Sequence, residues 1–164
     1  MTGLTPETIR KGFVRARERR QAWEPLWRDC YAFALPQRGL GLGPEFTPAR
    51  RHQESLFDGT APDAVEQLAA SLLAELTPPW SQWFSLRPGH DVPVDQRAGL
   101  AAYLEEMAAR MRGHFDRSNF AVEIHQCFLD LATVGTATLL FQEAPIGDNS
   151  AFRFAAIPAA EMYV

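Results

Sequence analysis

The sequence has few cysteines and no long apolar run. Cys30 and Cys127 are its two cysteines, and no CxxC spacing is present. The favoured interpretation is two buried free thiols in a reducing compartment, with a disulfide or a metal site as the alternative. No run of ~18 apolar residues exists, so no transmembrane helix is predicted. Residues 1–20 are charged and lack an apolar segment, so no secretory signal is predicted there.

The motifs of common catalytic and nucleotide-binding sites are also missing. The sequence contains no HExxH, no GxSxG and no GxxxxGK followed by Ser or Thr. Gly39, Gly41 and Gly43 form a GxGxG run, but no predicted strand precedes it and no predicted helix opens on it. The four histidines are scattered along the chain: His52, His90, His114 and His125. We therefore predict no catalytic residue, no cofactor and no metal site, and a protein that is not an enzyme.

Composition indicates one globular region of 164 residues, with 46% hydrophobic and 22% charged residues. The net charge of -4 is unevenly distributed. Residues 1–52 hold ten basic and five acidic residues, which gives +5, whereas residues 53–164 hold six and fifteen, which gives -9. The acidic majority argues against a protein that wraps duplex DNA tightly, because such binding depends on phosphate neutralisation. An acidic surface suits a channel through which DNA slides.

The basic part contains a cluster of four arginines within six residues: Arg15, Arg17, Arg19 and Arg20. One interpretation is a solvated helix face, and the other is contact with DNA or with an acidic partner. The sequence leaves both open.

A long N-terminal helix is predicted over residues 5–34. Thr5 and Pro6 are a good helix start, and Pro25 should kink or divide the helix near Trp23 and Glu24. Residues 35–54 follow as a loop rich in Gly and Pro. A loop of this length is usually functional or ordered by a partner.

The helical part, residues 55–134, contains three further predicted helices. The first runs from a start signal at Thr60 to a stop at Thr77-Pro78-Pro79. Its predicted buried face follows i+3/i+4 spacing: Ala61, Val65, Leu68, Leu72 and Leu76.

The second predicted helix runs from a cap at Asp95 to about Phe115. Its apolar stripe has the same spacing: Leu100, Leu104, Met107, Met111 and Phe115. Ser118 and Asn119 cap the third, which runs to about Thr133, with Gly135 as its terminator.

The period then changes from helical to alternating. Residues 136–142 and 151–157 are predicted strands, with a turn at 145–150. They form an antiparallel hairpin, residues 136–157, with Phe152 and Phe154 on one face and Arg153 on the other. The predicted fold is α+β and mainly α-helical, with a helical layer followed by a C-terminal β-hairpin. A lone hairpin is marginal, so we expect residues 1–164 to be a fragment of a longer protein.

Three large aromatic rings follow the predicted helix that begins at Thr60: Trp80, Trp83 and Phe84. The simpler interpretation is a small core that packs under the Asp95–Phe115 helix. The alternative is a subunit–subunit contact, where aromatic residues are enriched.

These elements and their order resemble the head-to-tail connecting (portal) proteins of short-tailed, T7-like bacteriophages. The distinctive block runs from Leu56-Phe57-Asp58-Gly59-Thr60-Ala61-Pro62 to Thr77-Pro78-Pro79 and Trp83-Phe84. Trp23, Trp27 and Pro36 in the N-terminal part, and Phe152-Arg153-Phe154 with Ile157-Pro158 and Glu161-Met162-Tyr163-Val164 at the end, are also similar to that family. Portal proteins have several hundred residues, so the resemblance concerns their N-terminal part, in the wing region.

The resemblance implies a structural subunit without chemistry of its own. In that family about a dozen copies form a ring at one capsid vertex, through which double-stranded DNA is packaged and ejected. The expected partners are therefore further copies of the chain, the terminase, capsid and tail proteins, and the DNA, with no membrane. The expected location is the virion, after assembly in the bacterial host cytoplasm.

Two alternatives from other classes stay open at this point. One is a small DNA-binding module that uses the basic N-terminal helix, and it predicts salt-dependent DNA affinity. The other is an enzyme domain whose catalytic residues lie beyond Val164.

Overall fold

The computed structural model describes residues 5–38 and 58–163 of the chain. In these residues it contains five α-helices and one two-stranded antiparallel sheet, and it is 61% helical. The predicted fold class, mainly helical α+β, is therefore confirmed. The elements follow in the order α1 (Pro6–Gln21), α2 (Glu24–Ala34), α3 (Thr60–Leu76), α4 (Val94–Arg117), α5 (Phe120–Val134), β1 (Thr138–Glu143) and β2 (Phe152–Ile157).

The predicted N-terminal helix is divided in two, as Pro25 indicated. Helix α1 begins after Thr5, whose hydroxyl accepts a hydrogen bond of 3.3 Å from the Thr8 amide. It ends at Gln21, and α2 starts at Glu24 with Pro25 in its first turn, where a missing N–H does no harm. Of the predicted loop 35–54, residues 35–38 continue the chain after α2, and the remainder lies outside the described residues.

Helix α3 has the predicted bounds and begins at Thr60, as the start signal indicated. The Asp58 carboxylate supports this start, because it accepts from the Thr60 amide at 3.0 Å and from the Thr60 hydroxyl at 2.7 Å. The predicted buried face is wrong in part: the face is centred on Ala69, whereas Leu68 and Leu76 are about half exposed. The helix is rich in Ala and Leu on several sides, so i+3/i+4 spacing fits more than one stripe.

Helix α4 starts one residue before its predicted cap. The residue that precedes its first turn is Pro93, which makes no side-chain capping hydrogen bond, so Asp95 is not the cap. The predicted apolar stripe is its half-buried side, and Ala108 on the same side is fully buried.

Ser118 and Asn119 were both predicted to cap α5, but the structure gives them different roles. The Ser118 hydroxyl accepts from the Phe120 amide at 3.1 Å, as a cap does. Asn119 instead reaches β2: its carboxamide oxygen accepts from the Phe154 amide at 2.9 Å, and its nitrogen donates to the Phe154 carbonyl at 2.8 Å. At the other end, Gly135 adopts a φ of 75° and ends the helix as predicted.

The hairpin has one edge that is closed by side chains. Glu123 of α5 accepts from the Ala156 amide at 2.7 Å, next to the two bonds between Asn119 and Phe154. These three bonds satisfy backbone groups of β2 that point away from β1. The outer edge of β2 is therefore held by the first turns of α5 and is not an open edge.

The chain divides into two compact units. The first comprises residues 1–69, 129–138 and 157–164, and the second comprises residues 70–128 and 139–156. The core of the first unit is Tyr31 and Ala159, with Trp27, Leu35 and Val134 packed against them. Whether both units form one domain, as the length suggested, stays a prediction.

Cys127 is buried, as predicted, whereas Cys30 is half-buried. None of the described helices combines the length and apolar character needed to cross a bilayer.

Candidate functional site

The second unit is organised around a cluster of seven aromatic rings, named here the aromatic cluster: Trp83, Phe84, Phe115, Phe120, Phe141, Phe152 and Phe154. Phe115 of α4 is its centre, with ring centroids 4.8 Å from Phe120 and 5.3 Å from Phe152. Trp83 stacks parallel to Phe120 at 5.6 Å. Because the rings come from α4, α5, β1, β2 and the segment after α3, the cluster fixes these elements to one another within the unit.

Of the three rings that the sequence singled out, the structure places two in this cluster and one outside it. Trp83 and Phe84 are half-buried and lie edge-to-face at 4.7 Å. Trp80 is 77% exposed. The subunit-contact prediction for these residues stays a prediction, and Trp80 is the member whose ring is available to another molecule.

An apolar cleft of about 350 Å³ lies beside the aromatic cluster. Its walls come from the end of α3 and from the cluster itself: Leu73, Thr77, Pro79, Trp83, Phe115, Asp116, Phe120 and Ala121. Pro79 directly precedes Trp80 in the chain.

The four predicted contact arginines of α1 fall into two groups. Arg15, Arg17 and Arg19 are exposed. Arg20 is 6% exposed, donates to the Met162 carbonyl at 3.0 Å and lies 4.3 Å from the centre of the Tyr163 ring.

A carboxylate also neighbours the buried guanidinium. The Arg20 Nε is 3.0 Å from a carboxylate oxygen of Glu24, an ion-pair distance at an angle that does not make a hydrogen bond. Arg20 thus ties α1 to the segment after β2, whereas the other three arginines face outward.

Helix α1 also exposes apolar side chains. Ile9, Phe13 and Val14 are 58%, 48% and 45% exposed, and the Phe13 ring lies edge-on to Tyr163 at 5.0 Å. A helix that is both basic and apolar on its exposed side is typical of a surface that meets another molecule.

The sequence analysis missed a buried polar network in the first unit. The Asp130 carboxylate is 1% exposed, accepts from the Tyr31 hydroxyl at 3.0 Å and lies 2.5 Å from the Arg38 guanidinium. Burial raises the pKa of the Tyr31 hydroxyl well above its ordinary value of 10.0, and the Asp130 carboxylate raises it further. An acidic residue inside the apolar run CFLDLATV was the available signal.

The described residues offer surfaces for contact with other molecules. Within residues 5–38 and 58–163, no three His, Cys, Asp or Glu side chains are placed to hold a metal ion. The notable features are an exposed tryptophan, an apolar cleft and a helix with outward arginines.

Comparison with known proteins agrees with this description. The family model for bacteriophage head to tail connecting proteins matches residues 6–164. A probable portal protein of Bordetella phage BPP-1 is 27% identical over 123 residues, which are 74% of this chain and 22% of that protein. The portal protein of Salmonella phage epsilon15 is 23% identical over 164 residues, which are 100% of this chain and 29% of that protein.

This chain therefore spans under a third of the length of the curated relatives that it matches. The resemblance to portal proteins of short-tailed phages, seen first in the sequence, is confirmed. Because the family model covers nearly all of its residues, the chain belongs to the family of bacteriophage head-to-tail connecting proteins.

Proposed function

We propose that this chain is the N-terminal part of a portal subunit that forms a ring of about twelve copies at one capsid vertex. The match of residues 6–164 to the connecting-protein family carries the proposal, and the names of the two relatives support it. Double-stranded DNA passes through the ring during packaging and again during ejection. The location is the virion, after assembly in the host cytoplasm.

The work of such a subunit is mechanical. The ring seats the terminase, joins the capsid and later carries the tail proteins, while the terminase supplies the bond chemistry. The protein itself is not an enzyme. The net charge of -9 over residues 53–164 supports this role, because an acidic body lets DNA slide without sticking.

Ring assembly requires contact surfaces between subunits, and the surfaces described above are the candidates. A ring needs a heterologous contact, in which two different surfaces of neighbouring copies meet and the rotation closes. Trp80 is the anchor of one such surface, since large exposed rings carry much of the binding energy at interfaces. Trp83 and Phe84 support it from the aromatic cluster, and Arg15, Arg17 and Arg19 are available to an acidic partner or to DNA.

The test is the mass in solution of the natural protein that carries this segment, together with its affinity for duplex DNA over a salt series. A portal subunit gives a particle of roughly twelve copies by sedimentation. A monomer or dimer whose DNA affinity falls steeply with salt would support the small DNA-binding module instead.

A further inference from the structure

The hairpin turn, residues 144–151, carries a fully exposed isoleucine. Ile146 is the most exposed large apolar side chain in the part of the chain that the structure describes, and Pro145 before it is exposed as well. Single exposed apolar side chains are common on protein surfaces. What distinguishes Ile146 is the way in which the turn is held and the cleft that lies on the far side of α4.

Three hydrogen bonds attach the hairpin turn to the end of α4. The Arg117 Nε donates to the Asn149 carbonyl at 3.2 Å, and the Ser150 hydroxyl donates to the His114 carbonyl at 2.7 Å. The Ala151 amide donates to the His114 Nδ1 at 3.2 Å. These bonds hold the second half of the turn against the helix.

The turn is also closed within itself. The Asp148 amide donates to the Pro145 carbonyl at 3.2 Å, and Gly147 adopts a φ of 105°, which only glycine reaches without strain. Ile146 is therefore presented by a preorganised turn, and its docking costs little conformational entropy.

The hairpin turn and the apolar cleft of the second unit lie on opposite sides of α4. The side chains of His114 and Arg117 hold the turn, whereas Phe115 and Asp116 line the cleft. At about 100° per residue, the mean direction of the first pair differs by about 180° from that of the second pair. The unit thus has a projecting apolar side chain on one side of this helix and an apolar cleft on the other.

We infer that Ile146 of one copy inserts into the apolar cleft of the next copy in the ring. The inference rests on the proposed portal function and adds one specific contact between its subunits. The cleft has a volume of about 350 Å³, which admits a branched aliphatic side chain, and its walls include Leu73 and rings of the aromatic cluster. Insertion removes the Ile146 side chain from water and packs it against apolar atoms.

The opposite placement of the two surfaces decides the symmetry of the contact. A side chain on one side of a subunit that binds a cleft on the other side makes a heterologous contact, which produces rings or open helices. A self-complementary patch would instead produce a closed dimer. The contact is therefore of the type that a portal ring requires.

A capsid or tail protein is the competing occupant of the cleft. An apolar side chain from such a protein would fill the cleft but would leave Ile146 without a role. A second copy accounts for both surfaces, and a different protein becomes an outcome of the test.

The first test shortens the inserted side chain and fills the cleft in the natural protein that carries this segment. Ile146→Ala removes most of the exposed side chain, and Ala121→Phe places a ring at an exposed position of the cleft wall. Each variant should raise the protein concentration for half-assembly of rings at least about tenfold. Ile146→Val removes one methyl group and should raise it about fourfold.

Val122 supplies the matched controls, because it is exposed on α5 next to Ala121 and does not line the cleft. Val122→Ala and Val122→Phe should both assemble like the wild type. Wild-type assembly of Ile146→Ala or of Ala121→Phe would overturn the inference. Wild-type protein that forms no ring would overturn the proposed function itself, which separates the two failures.

A covalent test detects the contact in rings that do assemble. In a double variant with Ile146→Cys and Ala121→Cys, mild oxidation should link neighbouring copies, because disulfides form only between closely placed thiols. Denaturing electrophoresis should then show a ladder of linked subunits. The double variant with Ile146→Cys and Val122→Cys, and each single variant, should show none.

The native Cys30 and Cys127 are present in all these variants, so a ladder that needs both introduced thiols reports the proposed contact alone. Rings that give no ladder would overturn the inference. Linkage of the Ala121→Cys variant to a capsid or tail protein in assembled heads, and not to another copy, would assign the cleft to that protein and would also overturn it.

Discussion

Asp130 is the residue whose removal should destabilise the first unit most. In Asp130→Ala the Tyr31 hydroxyl, on a side chain that is 1% exposed, loses its acceptor. The same change takes away the carboxylate 2.5 Å from the Arg38 guanidinium, whose side chain is 18% exposed. A buried hydroxyl without a partner costs about 1–3 kcal/mol, and breaking a buried ion pair on one side costs about 3–5 kcal/mol.

The two costs overlap, so we expect Asp130→Ala to lower the free energy of unfolding by about 3–5 kcal/mol. Tyr31→Phe should cost less, about 1.5 kcal/mol, because the Asp130 carboxylate keeps its ion pair with Arg38. The double variant should cost about 1 kcal/mol less than the sum of the two, since no orphaned hydroxyl remains.

The assay is urea unfolding followed by far-UV circular dichroism, with the slope against urea compared between variants. Glu105→Ala is the control, because it removes an exposed carboxylate and should change stability by less than about 0.5 kcal/mol. A cost below about 1 kcal/mol for Asp130→Ala, or strict additivity with Tyr31→Phe, would refute the reasoning that the three side chains form one buried network.

Alkaline pH, the edge of β2 and the exposed Trp80 ring each allow a further test. Because burial raises the pKa of the Tyr31 hydroxyl, the neutral hydroxyl contributes fully to stability below pH 10.0, and above pH 10.0 the free energy of unfolding falls by about 1.4 kcal/mol per pH unit. Urea unfolding at a series of alkaline pH values tests this. If Tyr31→Phe lost stability with pH as steeply as the wild type, the prediction would be contradicted. Asn119→Ala should lower the free energy of unfolding by about 2 kcal/mol and speed hydrogen exchange at the Phe154 amide at least tenfold (~1.4 kcal/mol locally). Unchanged exchange at that amide would contradict the hydrogen bonding of the β2 edge by Asn119. Phe115→Ala should cost about 3 kcal/mol, whereas Trp80→Ala should change stability by less than about 0.5 kcal/mol and still reduce ring formation; normal rings with Trp80→Ala would remove that residue from the proposed interface.

Local signals in the sequence were sufficient for the order of the described elements and for several of their ends. The Pro78-Pro79 pair ends α3 by removing amide donors, and Gly135 ends α5 by adopting positive φ, and both effects act within a few residues. The change from a helical to an alternating apolar period is also a local signal, and it identified the hairpin.

The partners of individual side chains depend on residues far away in the chain, and the sequence could not supply them. Arg20 belongs to a run of exposed arginines in sequence, yet it is buried because Met162 and Tyr163 come back to it. Asn119 has the features of a helix cap, but the backbone of β2 offers it two hydrogen bonds. Neither outcome follows from local propensity.

The same limit applies to the candidate contact surfaces. Trp80 and Trp83 are three residues apart and equally apolar, and only the position of α4 and α5 decides that Trp83 enters the aromatic cluster. The apolar cleft brings Leu73 of α3 together with Ala121 of α5. Such juxtapositions need the three-dimensional structure.

The most direct test of the central claim is negative-stain electron microscopy of the natural protein that carries this segment. The portal account predicts closed rings of roughly twelve subunits with a central channel. A monodisperse monomer or dimer at high protein concentration would contradict it.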